Sequence, residues 1–203
     1  MDYVVATSET QKKTYLILHG YRQSADVISK KVKGLFPKDV DLVIPNGPLI
    51  VDNEFYGWFP LERIDLVDGV VTINAEDIIK IVSCNISGKY DAVIAFSQGC
   101  LAAGLLIGSG KVTTHKLLLF SPIPVPSLWP YTLPGGTIQA KIYIGARDTL
   151  VSGRHSLSFL PALGCNNIEI VEHRWGHVIP STKEYKLDYN KFINSVDGLV
   201  PTK

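Results

Sequence analysis

Net charge is nearly absent from this chain. Its 203 residues carry 20 Lys+Arg against 19 Asp+Glu, a formal net charge of +1. Nucleic-acid binding neutralises phosphates with clustered Lys and Arg, and the one basic cluster, Lys30-Lys31-Val32-Lys33, reads as an ordinary helix surface. No nucleic-acid partner is therefore expected. Cysteine is scarce too: Cys84, Cys100 and Cys165 are an odd number without CxxC spacing, which points to free thiols in a reducing compartment. The apolar settings of Cys84 and Cys100 favour structural burial over redox sensing. No apolar run approaches the roughly 20 residues needed to cross a bilayer, and residues 1–14 are polar with no long apolar core. No transmembrane segment and a soluble, cytoplasmic protein are the expectation.

Metal and cofactor signals are missing as well. There is no HExxH and no paired Cys/His spacing; His173 and His177 are four apart, but in a glycine-containing loop rather than on a helix. No G-x-G-x-x-G follows a strand, and the turn His19-Gly20-Tyr21-Arg22-Gln23 lacks a phosphate-loop lysine and serine. No metal and no cofactor are expected.

What the chain does contain is a set of short, continuous apolar runs separated by helical patterns. With 46% hydrophobic residues, residues 1–203 suit one domain with a buried core. Residues 15–18 form a buried strand that meets a tight turn at His19-Gly20-Tyr21. Ser24 is a plausible N-cap for a helix over 25–33, closed by Gly34, and 41–44 form the next strand. Strand, helix, strand implies a parallel sheet. Further strands are expected at 92–96, 116–120, 140–145 and 167–171. Helices are expected at 75–83, after Ser97, at 151–160 and at 182–196. The fold class is α/β, with a mostly parallel central sheet and helices on both faces.

Residues 49–74 interrupt this alternation. They hold the aromatic-dense Glu54-Phe55-Tyr56-Gly57-Trp58-Phe59-Pro60, then two strand-like runs over 64–73 joined by Asp68-Gly69, a strong hairpin signal. An insertion at this place is expected to be a lid or pocket wall, with a surface hairpin as the alternative. Trp58 and Phe59 become candidate pocket residues. The proline-rich stretch from Ser121 to Gly136 is expected to border the same site.

The chemistry is suggested first by Ala92-Val93-Ile94-Ala95-Phe96-Ser97-Gln98-Gly99-Cys100. A strand stops at a serine and a helix pattern begins at once, as in a nucleophile elbow, although the first glycine of G-x-S-x-G is replaced by Ala95. Ser97 is a candidate nucleophile, with simple helix capping as the competing role. A nucleophilic serine needs a base, an acid that orients the base, and donors for the oxyanion. Asp148, in Gly145-Ala146-Arg147-Asp148, follows one strand, and a turn or N-cap aspartate is its competing role. Glu172-His173-Arg174-Trp175-Gly176-His177 follows another; His177 is favoured as base, and His173 as a structural residue. Serine, aspartate, histidine is the order found in α/β-hydrolases. The N–H groups of Tyr21 and Gln98 could serve the oxyanion, while His19 is expected to brace its turn.

Five pieces in order, Leu18-His19-Gly20-Tyr21-Arg22-Gln23-Ser24-Ala25, Phe55-Tyr56-Gly57-Trp58-Phe59, Phe96-Ser97-Gln98-Gly99, Gly145-Ala146-Arg147-Asp148 and Gly176-His177-Val178-Ile179-Pro180, resemble the FSH group of serine hydrolases. More distantly they are similar to acyl-protein thioesterases and carboxylesterases. The resemblance implies an α/β-hydrolase fold, esterase or thioesterase activity, and catalytic roles for Ser97, Asp148 and His177. Trp175 stands where related sequences often have a small residue, which makes it a further candidate pocket residue. The expected activity is cleavage of a small-molecule or acyl-chain ester or thioester through an acyl-enzyme on Ser97. The competing reading is a hydrolase-fold ligand-binding protein with little turnover.

Overall fold

The computed structural model describes residues 12–60, 75–83, 85–123, 138–157 and 167–195. In chain order the elements are β1 (Thr14–Leu18), α1 (Ala25–Val32), β2 (Asp41–Val43), β3 (Leu49–Asp52), β4 (Phe55–Gly57), α2 (Ala75–Val82), β5 (Gly88–Lys89), β6 (Ala92–Phe96), α3 (Gln98–Gly108), β7 (Val112–Thr113), β8 (Lys116–Phe120), β9 (Gln139–Gly145), α4 (Gly153–Leu157), β10 (Asn167–His173) and α5 (Lys183–Asn194). Cys84, Cys165, the Asp68-Gly69 hairpin and most of the proline-rich stretch lie outside the described residues.

Six strands form one sheet in the order β10-β9-β8-β6-β1-β2, every neighbour parallel. The continuous apolar runs follow from that arrangement, because a parallel strand covered by helices is buried on both faces. Side chains alternate between the faces. Leu16, Leu18, Val93, Ala95, Leu117, Leu119, Ala140, Ile142 and Ile144 join a core with α2 and α3. Tyr15, Ile17, Ala92, Ile94, Phe96, Leu118, Phe120 and Tyr143 join the other, where Ile28 and Val32 of α1 meet Tyr189 and Ile193 of α5.

Local chemistry sets the element ends. Ser24 caps α1 by accepting from the Val27 N–H at 3.3 Å, with Asp26 in the first turn and Lys30 and Lys31 in the last, each complementing the helix dipole. The strands β3 and β4 form an antiparallel hairpin whose turn carries Asn53 at φ 32°. This hairpin is additional to the one expected at Asp68-Gly69, which lies outside the described residues, and asparagine is among the few residues besides glycine that tolerate the left-handed region. The described part of the helix expected at 151–160 is α4, with the remainder outside the described residues.

Candidate active site

Three loops meet at the carboxyl ends of the parallel strands. The first is the break between β6 and α3. Ser97 sits there at φ 54°, ψ −117°, a strained conformation for a residue with a side chain. Its N–H donates to the Phe120 O at 2.9 Å and its carbonyl accepts from the Cys100 N–H at 3.0 Å, so β8 and the first turn of α3 hold the backbone in that shape. Ser97 occupies the N-cap position, yet its side chain makes no capping bond. Among the described residues its hydroxyl has no hydrogen-bond partner, His177 included; such contacts often close only once substrate is bound. The methyl of Ala95 is accommodated, since Ala95 lies in regular β6 paired with Leu18 and packs into the core at 1% exposure.

The second loop follows β9. Asp148 is 8% exposed, and its two oxygens divide their work. Oδ1 accepts from the N–H groups of Leu150 at 3.0 Å and Val151 at 2.8 Å, ordering the turn. Oδ2 lies 2.7 Å from His177 Nδ1. A carboxylate can only accept, so Nδ1 carries a proton, and the neutral tautomer this contact selects has its lone pair on Nε2.

The third loop, between β10 and α5, is laid across the end of β9. Ala146 N–H donates to the His173 O at 2.8 Å and Arg147 N–H to the Trp175 O at 3.1 Å. An added Cβ on Gly145 would stand 2.4 Å from the Gly176 O, so only glycine permits this approach. The loop delivers His177, whose ring lies 4.9 Å from that of Phe96, the residue preceding Ser97. The contact packs the imidazole on the residue that precedes the strained serine. Sequence reasoning did not single out Phe96, which reads as one more strand former.

The turn after β1 completes the group. No described residue accepts from the N–H of Tyr21 or of Gln98, the latter at the first position of α3, where helix N–H groups lack intrahelical partners. An added Cβ on Gly99 would lie 2.5 Å from the Leu18 O and 2.6 Å from the His19 O, so α3 and β1 approach as closely as backbone allows. His19 is fully buried. Its Nδ1 lies 2.7 Å from the Gly20 O and must donate, while Nε2 accepts from the Gly47 N–H at 2.9 Å. Both nitrogens are engaged only in the neutral ring, and burial lowers the pKa of this histidine.

The model of the family "Serine hydrolase (FSH1)" matches residues 7–189. The chain belongs to this serine hydrolase family. The FSH1-family chain is 25% identical to Esterase GA18864 of Drosophila pseudoobscura pseudoobscura over 90% of its own length and 71% of that protein. It is 26% identical to a dihydrofolate reductase of Schizosaccharomyces pombe, over 93% of its own length; the chain spans 48% of that longer relative. In structure it resembles a carboxylesterase from Mesorhizobium loti with a TM-score of 0.69 at 17% identity, covering 90% of this chain and 88% of the other. The fold is accordingly that of the α/β-hydrolases.

Not every expected site residue faces the site of this hydrolase. Trp58 and Phe59, expected to line a pocket, are 0% and 1% exposed and belong to the core packed by α2 and α3, so neither offers surface to a substrate here. The Trp175 ring turns toward α5 instead, 5.6 Å from Tyr185 and 5.0 Å from the Arg174 guanidinium. Its carbonyl, not its indole, serves the loop. His173 is 2% exposed with neither ring nitrogen bonded to a described residue, and burial lowers its pKa. Among the described residues no group of three or more His, Cys, Asp or Glu side chains could hold a metal ion, and no helix is long and apolar enough to cross a membrane.

Proposed function

We propose that this protein cleaves carboxylic esters or thioesters through an acyl-enzyme on Ser97. His177 takes the Ser97 proton at Nε2 as the hydroxyl attacks the carbonyl carbon, and Asp148 holds the imidazole and stabilises the imidazolium that forms. The tetrahedral oxyanion accepts from the N–H groups of Tyr21 and Gln98. His177 then protonates the departing alcohol or thiol, and water activated by the same base releases the acid. The observation that carries this reading is the 2.7 Å contact between His177 Nδ1 and Asp148 Oδ2, in a chain whose Ser97 is held at φ 54° with a side chain that forgoes capping.

Apolar surface flanks the acid and the base. Leu150, two residues after Asp148, is 72% exposed, and Val178, adjoining His177, is 43% exposed. With Trp58 and Phe59 in the core, these side chains support an acyl substrate with an apolar portion. Cys100 is a free thiol, which fits a reducing compartment such as the cytoplasm.

A fluorophosphonate probe tests the reading. Wild type labels covalently and hydrolyses p-nitrophenyl acyl esters, whereas Ser97→Ala and His177→Ala lose both by at least about a thousandfold. No labelling of wild type, or undiminished labelling of Ser97→Ala, overturns it. Tight ligand retention by Ser97→Ala in a protein without turnover would favour a binding role.

A further inference from the structure

Trp58 and Phe59, in the described half of the insertion after β2, do something other than wall a pocket. Trp58 and Phe59 bridge the two backbone segments that carry the proposed oxyanion donors. The Trp58 indole N–H donates to the His19 O at 2.7 Å, on the turn that leads to Tyr21. The Trp58 backbone N–H donates to Gln98 Oε1 at 2.9 Å, and Gln98 Nε2 donates to the Phe59 O at 2.7 Å. The orientation of the Gln98 amide is unambiguous, because an N–H must donate and a carbonyl must accept. The His19 ring packs on the indole with centroids 4.9 Å apart, and its own Nδ1 lies 2.7 Å from the Gly20 O. His19, Trp58 and Gln98 are each 0% exposed, and Phe59 1%.

We propose that Trp58 is a positioning residue for the oxyanion donors, tying the Tyr21 turn to the first residue of α3 and so fixing the separation of the two N–H groups. The inference rests on the hydrolase reading above. Two contacts bound that separation from opposite sides. The approach of Gly99 to the Leu18 and His19 carbonyls prevents α3 from moving closer to β1. The bonds of Trp58 and Phe59 prevent it from moving away. Buried bonds of this kind are strong because water does not compete, and leaving one partner unpaired is costly. The hairpin is tied to the same turn, since the Tyr56 N–H donates to the Gln23 O at 2.8 Å and Gln23 Oε1 accepts from the Gly20 N–H at 3.2 Å. Trp58 and Phe59, which read in the sequence as pocket residues, thus act on substrate through the backbone they hold.

Trp58→Phe keeps a ring on His19 and removes the indole N–H; Gln98→Glu keeps the acceptor for the Trp58 N–H and removes the donor to the Phe59 O. Misplacing a reacting group by about 1 Å costs on the order of a hundredfold in rate. Each variant is therefore expected to lower kcat about ten- to a hundredfold with KM within about twofold. The inhibition constant of a trifluoromethyl ketone, whose adduct places an oxyanion on the same donors, rises by the same factor as kcat/KM falls. A purely structural role would leave that proportionality absent. The inference is overturned if both variants keep kcat and ketone affinity within twofold of wild type, or if kcat falls without weaker ketone binding. Loss of the folded state in both variants overturns it too, since the bonds would then serve stability alone. A wild type that neither labels with fluorophosphonate nor turns over esters fails the hydrolase reading, whereas a competent wild type matched by its variants fails only the positioning role.

Discussion

Gly99→Ala separates the geometry of the site from the stability of the fold. The new methyl would start 2.5 Å from the Leu18 O and 2.6 Å from the His19 O, both backbone atoms that cannot rotate away. Close carbon–oxygen contacts settle near 3.3 Å, so relief requires the first turn of α3 to withdraw from β1 by about 0.8 Å. That turn carries Ser97 and the Gln98 N–H. A shift of this size costs on the order of a hundredfold in kcat/KM, about 2.7 kcal/mol of transition-state stabilisation. Stability changes less. Overpacking costs about 1–3 kcal/mol, and replacing glycine by alanine within a helix returns up to about 1 kcal/mol. With about 1 kcal/mol returned, the net cost is at most about 2 kcal/mol, and the melting temperature is expected to fall by at most about 8 °C for a chain of this size. Gly34→Ala is the control: Gly34 has φ 72° with nothing within 4 Å of an added Cβ, so its cost is strain of about 1–2 kcal/mol with activity unchanged. The assay is kcat/KM on a p-nitrophenyl ester beside a thermal melt for both variants. A Gly99→Ala enzyme within threefold of wild type, or a Gly34→Ala enzyme that loses as much activity for the same drop in melting temperature, refutes the argument.

Three further outcomes are expected. Asp148→Asn keeps an oxygen for the Leu150 and Val151 N–H groups but removes the charge facing His177 Nδ1, so kcat should fall about a thousand- to ten-thousandfold while circular dichroism and melting stay close to wild type. Burial lowers the pKa of His19 and His173 below the value near 6.5 that each has when unfolded; the unfolded chain therefore takes up protons that the native one refuses, and stability is lost as pH falls from about 6.5 toward the native values. Denaturant titrations from pH 7.5 to 5 should show a decline of at most about 1.4 kcal/mol per unit for each ring, and His19→Gln should flatten it; a stability rising toward acid would contradict the neutral assignment. Asp188 accepts from Lys141 Nζ and from the Tyr143 hydroxyl, each at 2.6 Å, and the Lys141 side chain is 5% exposed. Asp188→Ala strands that ammonium on Glu169, which is 60% exposed, and should cost about 2–3 kcal/mol in urea unfolding with kcat intact.

The inner strands β1, β6, β8 and β9 were legible because a parallel strand buried on both faces is nearly continuous in apolar residues, whereas the edge strands β2 and β10 are largely exposed. The chain order of Ser97, Asp148 and His177 was legible for a related reason: each falls just past the end of a strand, where an α/β sheet gathers its loops. Composition alone could not say what Trp58, Phe59 and Trp175 face. An aromatic residue that lines a pocket and one whose N–H is spent on a neighbouring carbonyl are identical as letters, and only the 2.7 Å bond to the His19 O distinguishes them. The hairpin of β3 and β4 was hidden because its turn is Asn53-Glu54, without the glycine that usually announces one. A polar Gln98 inside an otherwise apolar helix start was the available clue to the bonds it makes, since a fully buried amide must find partners.

Two side chains within one turn could in principle act as the nucleophile, and their surroundings separate them. Cys100 is 0% exposed, with Sγ 3.3 Å from the Ala95 O and 3.4 Å from the Phe120 O, so its S–H is directed at the ends of β6 and β8. Burial pushes its pKa well above that of an ordinary thiol, and the reactive thiolate is correspondingly suppressed. Those same carbonyl ends frame Ser97, whose N–H takes the Phe120 O at 2.9 Å. Cys100 therefore supports the shape in which Ser97 is held at φ 54°, a conformation costing on the order of 1–3 kcal/mol that persists only while its neighbours hold it. Cys100→Ser fits the volume but trades a thiol for a hydroxyl that demands a stronger and shorter bond at the same site. It should leave an active enzyme with slightly altered kcat and no change in fluorophosphonate stoichiometry. Loss of labelling in Cys100→Ser would move the nucleophile to sulfur and undo the division of roles that the burial and hydrogen bonding of the two residues support.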